Sequence, residues 1–110
     1  MKIETAVRAL GLKELTPCAS TEFDGVYVGD FLSRAMSRVE EGNLWVTIMS
    51  NVNVVAVASL SDAAAVILAE GVAMAPDVID AAREKGVAVF TSEMSAYDIC
   101  VALGNMASDE

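Results

Sequence analysis

The run Leu44–Gly71, LWVTIMSNVNVVAVASLSDAAAVILAEG, decides the fold of this chain. It is apolar almost throughout, and the polar segment Ser50–Asn53 interrupts it. We predict a buried strand over Leu44–Met49, then a turn, an apolar helix to about Leu60 and a second buried strand over Ala64–Ala69. Strands that are apolar at every position are typical of a parallel sheet that is covered on both faces.

The segment between the two strands is valine-rich, and valine is usually a strand former. A strand–turn–strand interpretation would leave no crossover connection, which parallel strands require. We therefore predict a helix there, begun by Asn51 or Asn53 as the capping residue.

Other elements extend this unit in both directions. The sequence predicts a three-layer α/β fold, a mainly parallel sheet flanked by helices, in one domain over residues 1–110. The further helices are predicted over Ile3–Leu10 (in an N-terminal segment 1–12), Asp30–Glu41 with Asp30 as its cap, Pro76–Lys85, and Ser95–Leu103 with Gly104 as its cap. The further strands are predicted over Lys13–Thr16, Gly25–Gly29 and Val87–Thr91. The tail over 106–110 is predicted to be frayed.

Charge and hydropathy exclude several functions. The chain has 110 residues with seven basic and sixteen acidic side chains, a net charge of −9. We expect no nucleic-acid partner and no membrane binding, because both depend on basic residues meeting phosphates. No apolar run has the length of a membrane span. The first residues lack the apolar core of a signal peptide, so we expect a cytoplasmic protein.

Side chains with common catalytic chemistry are scarce. There is no histidine, which removes Ser-His-Asp and Cys-His systems. Cys18 and Cys100 are the only cysteines. We expect Cys100 in the core and Cys18 in a loop, where a reactive thiol is the minor alternative. There is no phosphate-binding GxxxxGK[ST] or GxGxxG motif. We assign no catalytic residue, no metal ligand and no cofactor.

Polar residues follow each predicted central strand. Ligands of open α/β sheets bind beyond the carboxyl ends of the strands, so this set is the candidate ligand site. Helix capping is the alternative role for its Ser, Thr and Asn members. Glu70 and Glu93 have two alternative roles: a carboxylate pair that holds a metal, or solvated loop charges. The candidate ligand-binding residues are Ser50, Asn51, Asn53, Glu70, Gly71, Thr91 and Ser92.

The apolar fraction of 55% is high for a small domain. It indicates either a buried interface, and hence a homodimer, or an alanine-rich core of small side chains. Met36, Met49 and Trp45 are the candidate interface residues.

Three segments carry a family resemblance: Leu44–Gly71, the GVYVGDFLSRAM segment from Gly25 to Met36, and the GVAVFTSE segment from Gly86 to Glu93. Together they resemble the DRTGG domain, which is similar in fold to the N-terminal domains of HPr kinase/phosphorylase and MurF-type ligases. Where the family has its Asp-Arg, this chain has Ser50-Asn51. Where the family has Thr-Gly-Gly, this chain has 69–71, of which only Gly71 matches.

The resemblance implies a non-catalytic regulatory or ligand-sensing module. Stand-alone members are often encoded near iron-hydrogenase subunits and histidine-kinase-like ATPases, which implies a hydrogenase- or kinase-related protein partner in redox chemistry or signalling. The kinase activity of HPr kinase belongs to a separate P-loop domain and does not carry over. The alternatives are a protein-interaction adaptor without a small-molecule ligand and an enzyme subunit with a metal at Glu70 and Glu93.

Overall fold

The structure is a computed structural model and describes residues 1–109. Five helices and five strands alternate along most of the chain. The helices are α1 (Ile3–Leu10), α2 (Leu32–Arg38), α3 (Val52–Ser61), α4 (Pro76–Glu84) and α5 (Ala96–Asp109). The strands are β1 (Lys13–Glu14), β2 (Val26–Val28), β3 (Leu44–Thr47), β4 (Ala65–Leu68) and β5 (Val89–Thr91).

The strands form one sheet in the order β1-β5-β4-β3-β2. Strands β2 to β5 are parallel, and only β1 is antiparallel, paired with β5 so that Lys13 lies opposite Thr91. Because β3 and β4 occupy the centre, they are covered on both faces and all eight of their residues are buried. The predicted α/β fold with a mainly parallel sheet is confirmed.

Alternate residues of each central strand enter different cores. On β3, Leu44 and Val46 join an apolar cluster with residues of α1 and α5, such as Ile3, Ile99 and Leu103. Trp45 points to the other face and joins a cluster with residues of α2, α3 and α4. The sheet is therefore the middle of three layers, as the unbroken apolar strands predict.

The valine-rich segment is helical, as predicted. Asn51 is its N-cap, and Val54, Val55, Val57 and Ala58 are its buried residues. Burial of the three valines in the cluster that α3 shares with the sheet, α2 and α4 outweighs their weak helix propensity, which amounts to less than about 0.7 kcal/mol per residue.

The prediction for α2 was wrong at both ends. Asp30 does not cap this helix: the N-cap position is Phe31, without a side-chain cap, because the Asp30 carboxylate bonds to β3 and the turn after it. The helix also ends at Arg38 instead of Glu41. Val39 adopts an extended conformation and is buried, and Asn43 Oδ1 accepts a hydrogen bond from the Glu40 N–H at 2.8 Å.

The predicted end of the last helix was wrong as well. Gly104 does not cap α5, because the helix continues to Asp109. The tail that was predicted to fray from residue 106 is therefore helical up to residue 109. Residue 110 lies outside the described residues. Leu103 is buried and Met106 packs on the same cluster. That packing outweighs the roughly 1 kcal/mol that glycine costs inside a helix.

The short strand β1 is continued by a side chain. Thr16 is buried, and its Oγ1 donates to the Val87 carbonyl at 2.6 Å and accepts from the Val89 N–H at 2.8 Å. The hydroxyl adds to the backbone hydrogen bonds that the Leu15 and Thr16 N–H groups donate to the Val89 carbonyl, next to Pro17, which has no N–H to donate.

We expect Thr16→Val to lower the free energy of unfolding by about 2–4 kcal/mol, because it leaves a buried N–H and a buried carbonyl without this partner. Thr16→Ser is the matched control; it keeps the hydroxyl and removes one methyl group, for a loss of about 1 kcal/mol. Urea unfolding followed by circular dichroism measures both. Equal losses in the two variants would contradict the hydrogen-bonding role.

Candidate functional site

The four parallel strands end at one edge of the sheet, which we call the carboxyl edge. The segments that follow them are Gly29–Asp30, Ile48–Asn51, Ala69–Gly71 and Ser92–Glu93. The predicted ligand-binding residues lie at or beside this edge, as the order of elements requires. These residues differ in whether their polar groups already form hydrogen bonds within the chain.

The turn after β3 keeps unoccupied donors. Asn51 Oδ1 accepts a hydrogen bond from the Asn53 N–H at 2.9 Å, which makes Asn51 the cap and leaves the Asn53 side chain exposed. Within the described chain, the backbone N–H groups of Ser50, Asn51 and Val52 donate no hydrogen bond. Three successive N–H groups at the start of a ten-residue helix are an arrangement that suits an anion.

The turn after β4 is occupied. Glu70 and Gly71 both have left-handed backbones, with φ of 59° and 66°. Their N–H groups donate to the Met94 and Ser92 carbonyls, each at 2.8 Å. The left-handed backbone of Gly71 favours glycine, and an added side chain would also have to displace the exposed Glu93 carboxylate. These two N–H groups are therefore used to join the turns after β4 and β5.

The turn after β5 is held in the same way. Ser92 is buried; its N–H donates to the Leu68 carbonyl at 2.9 Å and its Oγ accepts from the Met94 N–H at 3.0 Å. Thr91 is half-buried and, together with Gly71, Glu93 and Lys13, lines a cavity of about 220 Å³ beside β1.

The seven predicted residues thus do not form one cluster. Ser50, Asn51 and Asn53 lie at the start of α3, whereas Gly71 and Thr91 line the cavity near β1. Glu70 is exposed, and Ser92 is committed to the backbone. Whether any of them binds a ligand stays a prediction, and the turn after β3 has the most polar groups to offer.

Sequence reasoning assigned Asp30 to the wrong partner. One carboxylate oxygen, Oδ1, accepts from the Thr47 hydroxyl and from the Ile48 N–H, each at 2.8 Å. The Thr47 Oγ1 accepts in turn from the Met49 N–H at 3.1 Å. Asp30 therefore fixes the direction in which the chain leaves β3 toward Ser50. The sequence did contain a signal for this contact: Asp30 directly follows β2, so it lies at the same edge of the sheet as the turn after β3.

We expect Asp30→Ala to lower the free energy of unfolding by about 1–3 kcal/mol, because two hydrogen bonds to a charged acceptor are lost. Asp30→Asn keeps an acceptor oxygen and should lose less than half as much. Amide hydrogen exchange at Ile48 and Met49 should accelerate in Asp30→Ala only. Unchanged exchange at both amides would show that Asp30 does not hold this turn.

The two cysteines are free and half-buried. Burial raises the pKa of both thiols; at Cys18 a hydrogen bond with Ser20 opposes this effect and the nearby Glu14 carboxylate adds to it. A raised pKa keeps the thiol protonated at neutral pH, and the protonated form is not the nucleophile. Cys100 packs against the α1–α5 cluster, although it is not fully buried.

Two searches of the described residues gave no further site. Among residues 1–109, no three Cys, Asp or Glu side chains come together in a way that would hold a metal ion. Glu70 and Glu93 are both exposed. In the same part of the chain, no helix combines the length and the hydropathy needed to cross a bilayer.

The fold and its carboxyl edge define a small α/β domain with a parallel core and one antiparallel edge strand. The chain belongs to the DRTGG domain family, whose model matches residues 6–106. This membership confirms the resemblance seen in the sequence. No curated protein matches the sequence.

The chain is similar to a crystal structure of the CBS and DRTGG domains of the regulatory region of Clostridium perfringens pyrophosphatase, in complex with its activator diadenosine tetraphosphate. The TM-score is 0.72 at 11% sequence identity. The match covers 90% of this chain but only 44% of that one, so this chain spans less than half of that regulatory region. At this identity the similarity shows the fold.

Proposed function

We propose that this chain is a non-catalytic regulatory module that binds a small anionic ligand at the turn after β3. The observation that carries the proposal is the set of three backbone N–H groups at Ser50, Asn51 and Val52, which have no partner within the described residues. The amides of Asn51 and Asn53 flank them and add polar groups that can select among anions.

The comparison supports a regulatory role but does not locate a ligand. The pyrophosphatase structure is a regulatory region bound to a nucleotide activator. That region also contains CBS domains and more than half of it lies outside the match, so the activator there does not assign a nucleotide to this chain. What supports binding at the turn after β3 is the geometry of that turn.

The residues present favour binding over catalysis. The chain has no histidine, and the carboxylates of Glu70 and Glu93 are exposed instead of being held in a closed site. We further propose a cytoplasmic setting. We also propose a protein partner of the hydrogenase- or kinase-related kind, because the family resemblance implies one. The adaptor and the metal-dependent enzyme subunit remain the alternatives that an experiment must separate.

Thermal unfolding of the full chain against nucleotides, phosphorylated metabolites and divalent ions tests the proposal. A ligand at about 100 times its dissociation constant stabilises by roughly 2.7 kcal/mol, which corresponds to a rise in Tm of roughly 10 °C for a domain of this size. We expect such a rise with an anionic ligand and its loss in Asn51→Asp, which keeps the helix cap but places a carboxylate at the site.

Asn105→Asp is the matched control, since it adds the same charge at an exposed position near the end of α5. A shift that survives in Asn51→Asp would contradict binding at the turn after β3. A shift with divalent ions that is lost in Glu93→Gln would support the enzyme-subunit alternative. No shift with any compound would favour the adaptor.

We also propose a homodimer, formed by the exposed edge of β2. Val28 is 51% exposed on this strand. Val26, Val28 and Leu103 line a mainly apolar cavity of about 320 Å³ between β2 and α5. This surface differs from the interface predicted from the sequence. Met36 is exposed on α2, and Met49 packs partly buried against the core. Trp45 is fully buried inside its own chain and donates to the Gly29 carbonyl at 3.0 Å.

Sedimentation velocity should give a mass of twice 11.5 kDa for the unmodified chain. Val28→Lys should give the monomer, because lysine on an edge strand opposes pairing with another chain. Leu60→Lys, at an 82% exposed position on α3, is the control and should stay dimeric. A monomer before any substitution would refute the homodimer.

A further inference from the structure

A further cavity lies beside β2, on the face of the sheet opposite to the one that α5 covers. We call it the Tyr27 cavity; it measures about 670 Å³ and is lined by Tyr27, Arg34, Ser37, Arg38 and Glu40. Tyr27 lies on β2, and the other four lie on α2 or just after it. Because α2 follows a parallel strand, it runs back toward the amino ends of the strands, so its last residues lie away from the carboxyl edge.

The charge of the Tyr27 cavity opposes that of the chain. The whole chain has a net charge of −9, whereas this lining has two guanidinium groups and one carboxylate. Arg8 and Arg83 each pair with a carboxylate on their own helix. Arg34 and Arg38, in contrast, make no side-chain ion pair or hydrogen bond within residues 1–109.

Helix stability accounts for only one member of this arginine pair: Arg38 lies in the last turn of α2, where a cation suits the helix dipole, and Arg34 does not. Arg34 and Arg38 are four residues apart on α2, so they occupy neighbouring positions on one side of the helix. Like charges at this spacing destabilise a helix by about 0.2–0.5 kcal/mol. Both side chains are exposed, so they do not contribute to the core. An anion held between them would remove the repulsion.

The Tyr27 hydroxyl is a third donor. The Tyr27 ring lies across Gly29, where an added Cβ atom would be only 2.9 Å from the hydroxyl oxygen. The absence of a side chain at position 29 therefore lets the half-buried ring take this position. The hydroxyl forms no hydrogen bond with any other residue in the described part of the chain.

We propose that the Tyr27 cavity binds the phosphate group of a small phosphorylated molecule. The guanidinium groups of Arg34 and Arg38 contact the phosphate oxygens, and the Tyr27 hydroxyl donates a further hydrogen bond. The planar fork of arginine matches phosphate in a bidentate geometry. The Tyr27 cavity is an open groove, and its volume lies within the range of small-ligand sites and exceeds what a lone phosphate needs. This site is separate from the one proposed at Asn51 and does not depend on it.

An NMR titration of the full ¹⁵N-labelled chain tests the inference, with inorganic pyrophosphate, ADP and glucose 6-phosphate as separate probes. We expect the side-chain Nε–Hε signals of Arg34 and Arg38 to shift while those of Arg8 and Arg83 stay in place. A response to ADP alone identifies a nucleotide, a response to glucose 6-phosphate alone identifies a sugar phosphate, and a response to all three shows that the phosphate is sufficient.

Variants give the strength of each contact. Arg34→Gln/Arg38→Gln should weaken binding about 100-fold or more, because two charge-assisted contacts are lost. Tyr27→Phe should weaken binding about 10- to 100-fold, because one hydrogen bond to a charged acceptor is lost. Arg8→Gln/Arg83→Gln removes the same charge elsewhere and should bind as the unmodified chain does.

Three results would overturn the inference. The first is the absence of any shift at Arg34 and Arg38 with all three probes at millimolar concentration. The second is equal binding by Arg34→Gln/Arg38→Gln and the unmodified chain, with circular dichroism showing both folded. The third is probe binding that is lost in Asn51→Asp but kept in the arginine variant, which would support the carboxyl-edge site instead. The reverse pattern supports the Tyr27 cavity.

Discussion

The burial of β3 and β4 on both faces is the constraint on which the rest of the molecule depends. Every residue of these two strands is apolar and buried except Thr47, which is buried with its hydroxyl bonded to Asp30. A sheet of this kind must be covered by helices on each side, so the connections have to cross over. The crossovers in turn bring the ends of four strands to one edge. The position of the polar turns therefore follows from a requirement for apolar cover.

The turns at that edge divide into occupied and open ones. The segments after β4 and β5 bond to each other through Glu70, Gly71 and Ser92, which makes them a rigid pair. The segment after β3 is held at its beginning by Asp30 and at its end by the Asn51 cap, whereas the N–H groups of Ser50, Asn51 and Val52 have no partner in the described chain. Rigid support beside unoccupied donors is the combination that a small-ligand site requires.

Features with a local cause were predictable from the sequence. Asn51 caps α3 and Pro76 opens α4 because a cap and an N-terminal proline act within one turn of a helix. The predictions failed where a distant partner competes for the same residue. Asp30 bonds across to β3 instead of capping α2, and Gly104 stays helical because Leu103 and its neighbours pack on the core.

The candidate sites show the same division. That polar residues follow the central strands was visible in the sequence, but which of their donors are taken was not, since that depends on bonds such as Gly71 to Ser92. The four-residue spacing of Arg34 and Arg38 could be read from the sequence. Their meeting with Tyr27 could not, because it depends on how α2 turns back over β2.

The two outer strands of the sheet, β1 and β2, differ in how well they could pair with another chain. The edge strand β1 is two residues long, has charged Lys13 and Glu14, and is followed within three residues by Pro17. Such an edge is a poor template for another strand. In the homodimer proposed above, two copies joined at β2 by a two-fold axis would use up the more receptive of the two edge strands. Such a pair would leave no second receptive edge on which open filaments could grow.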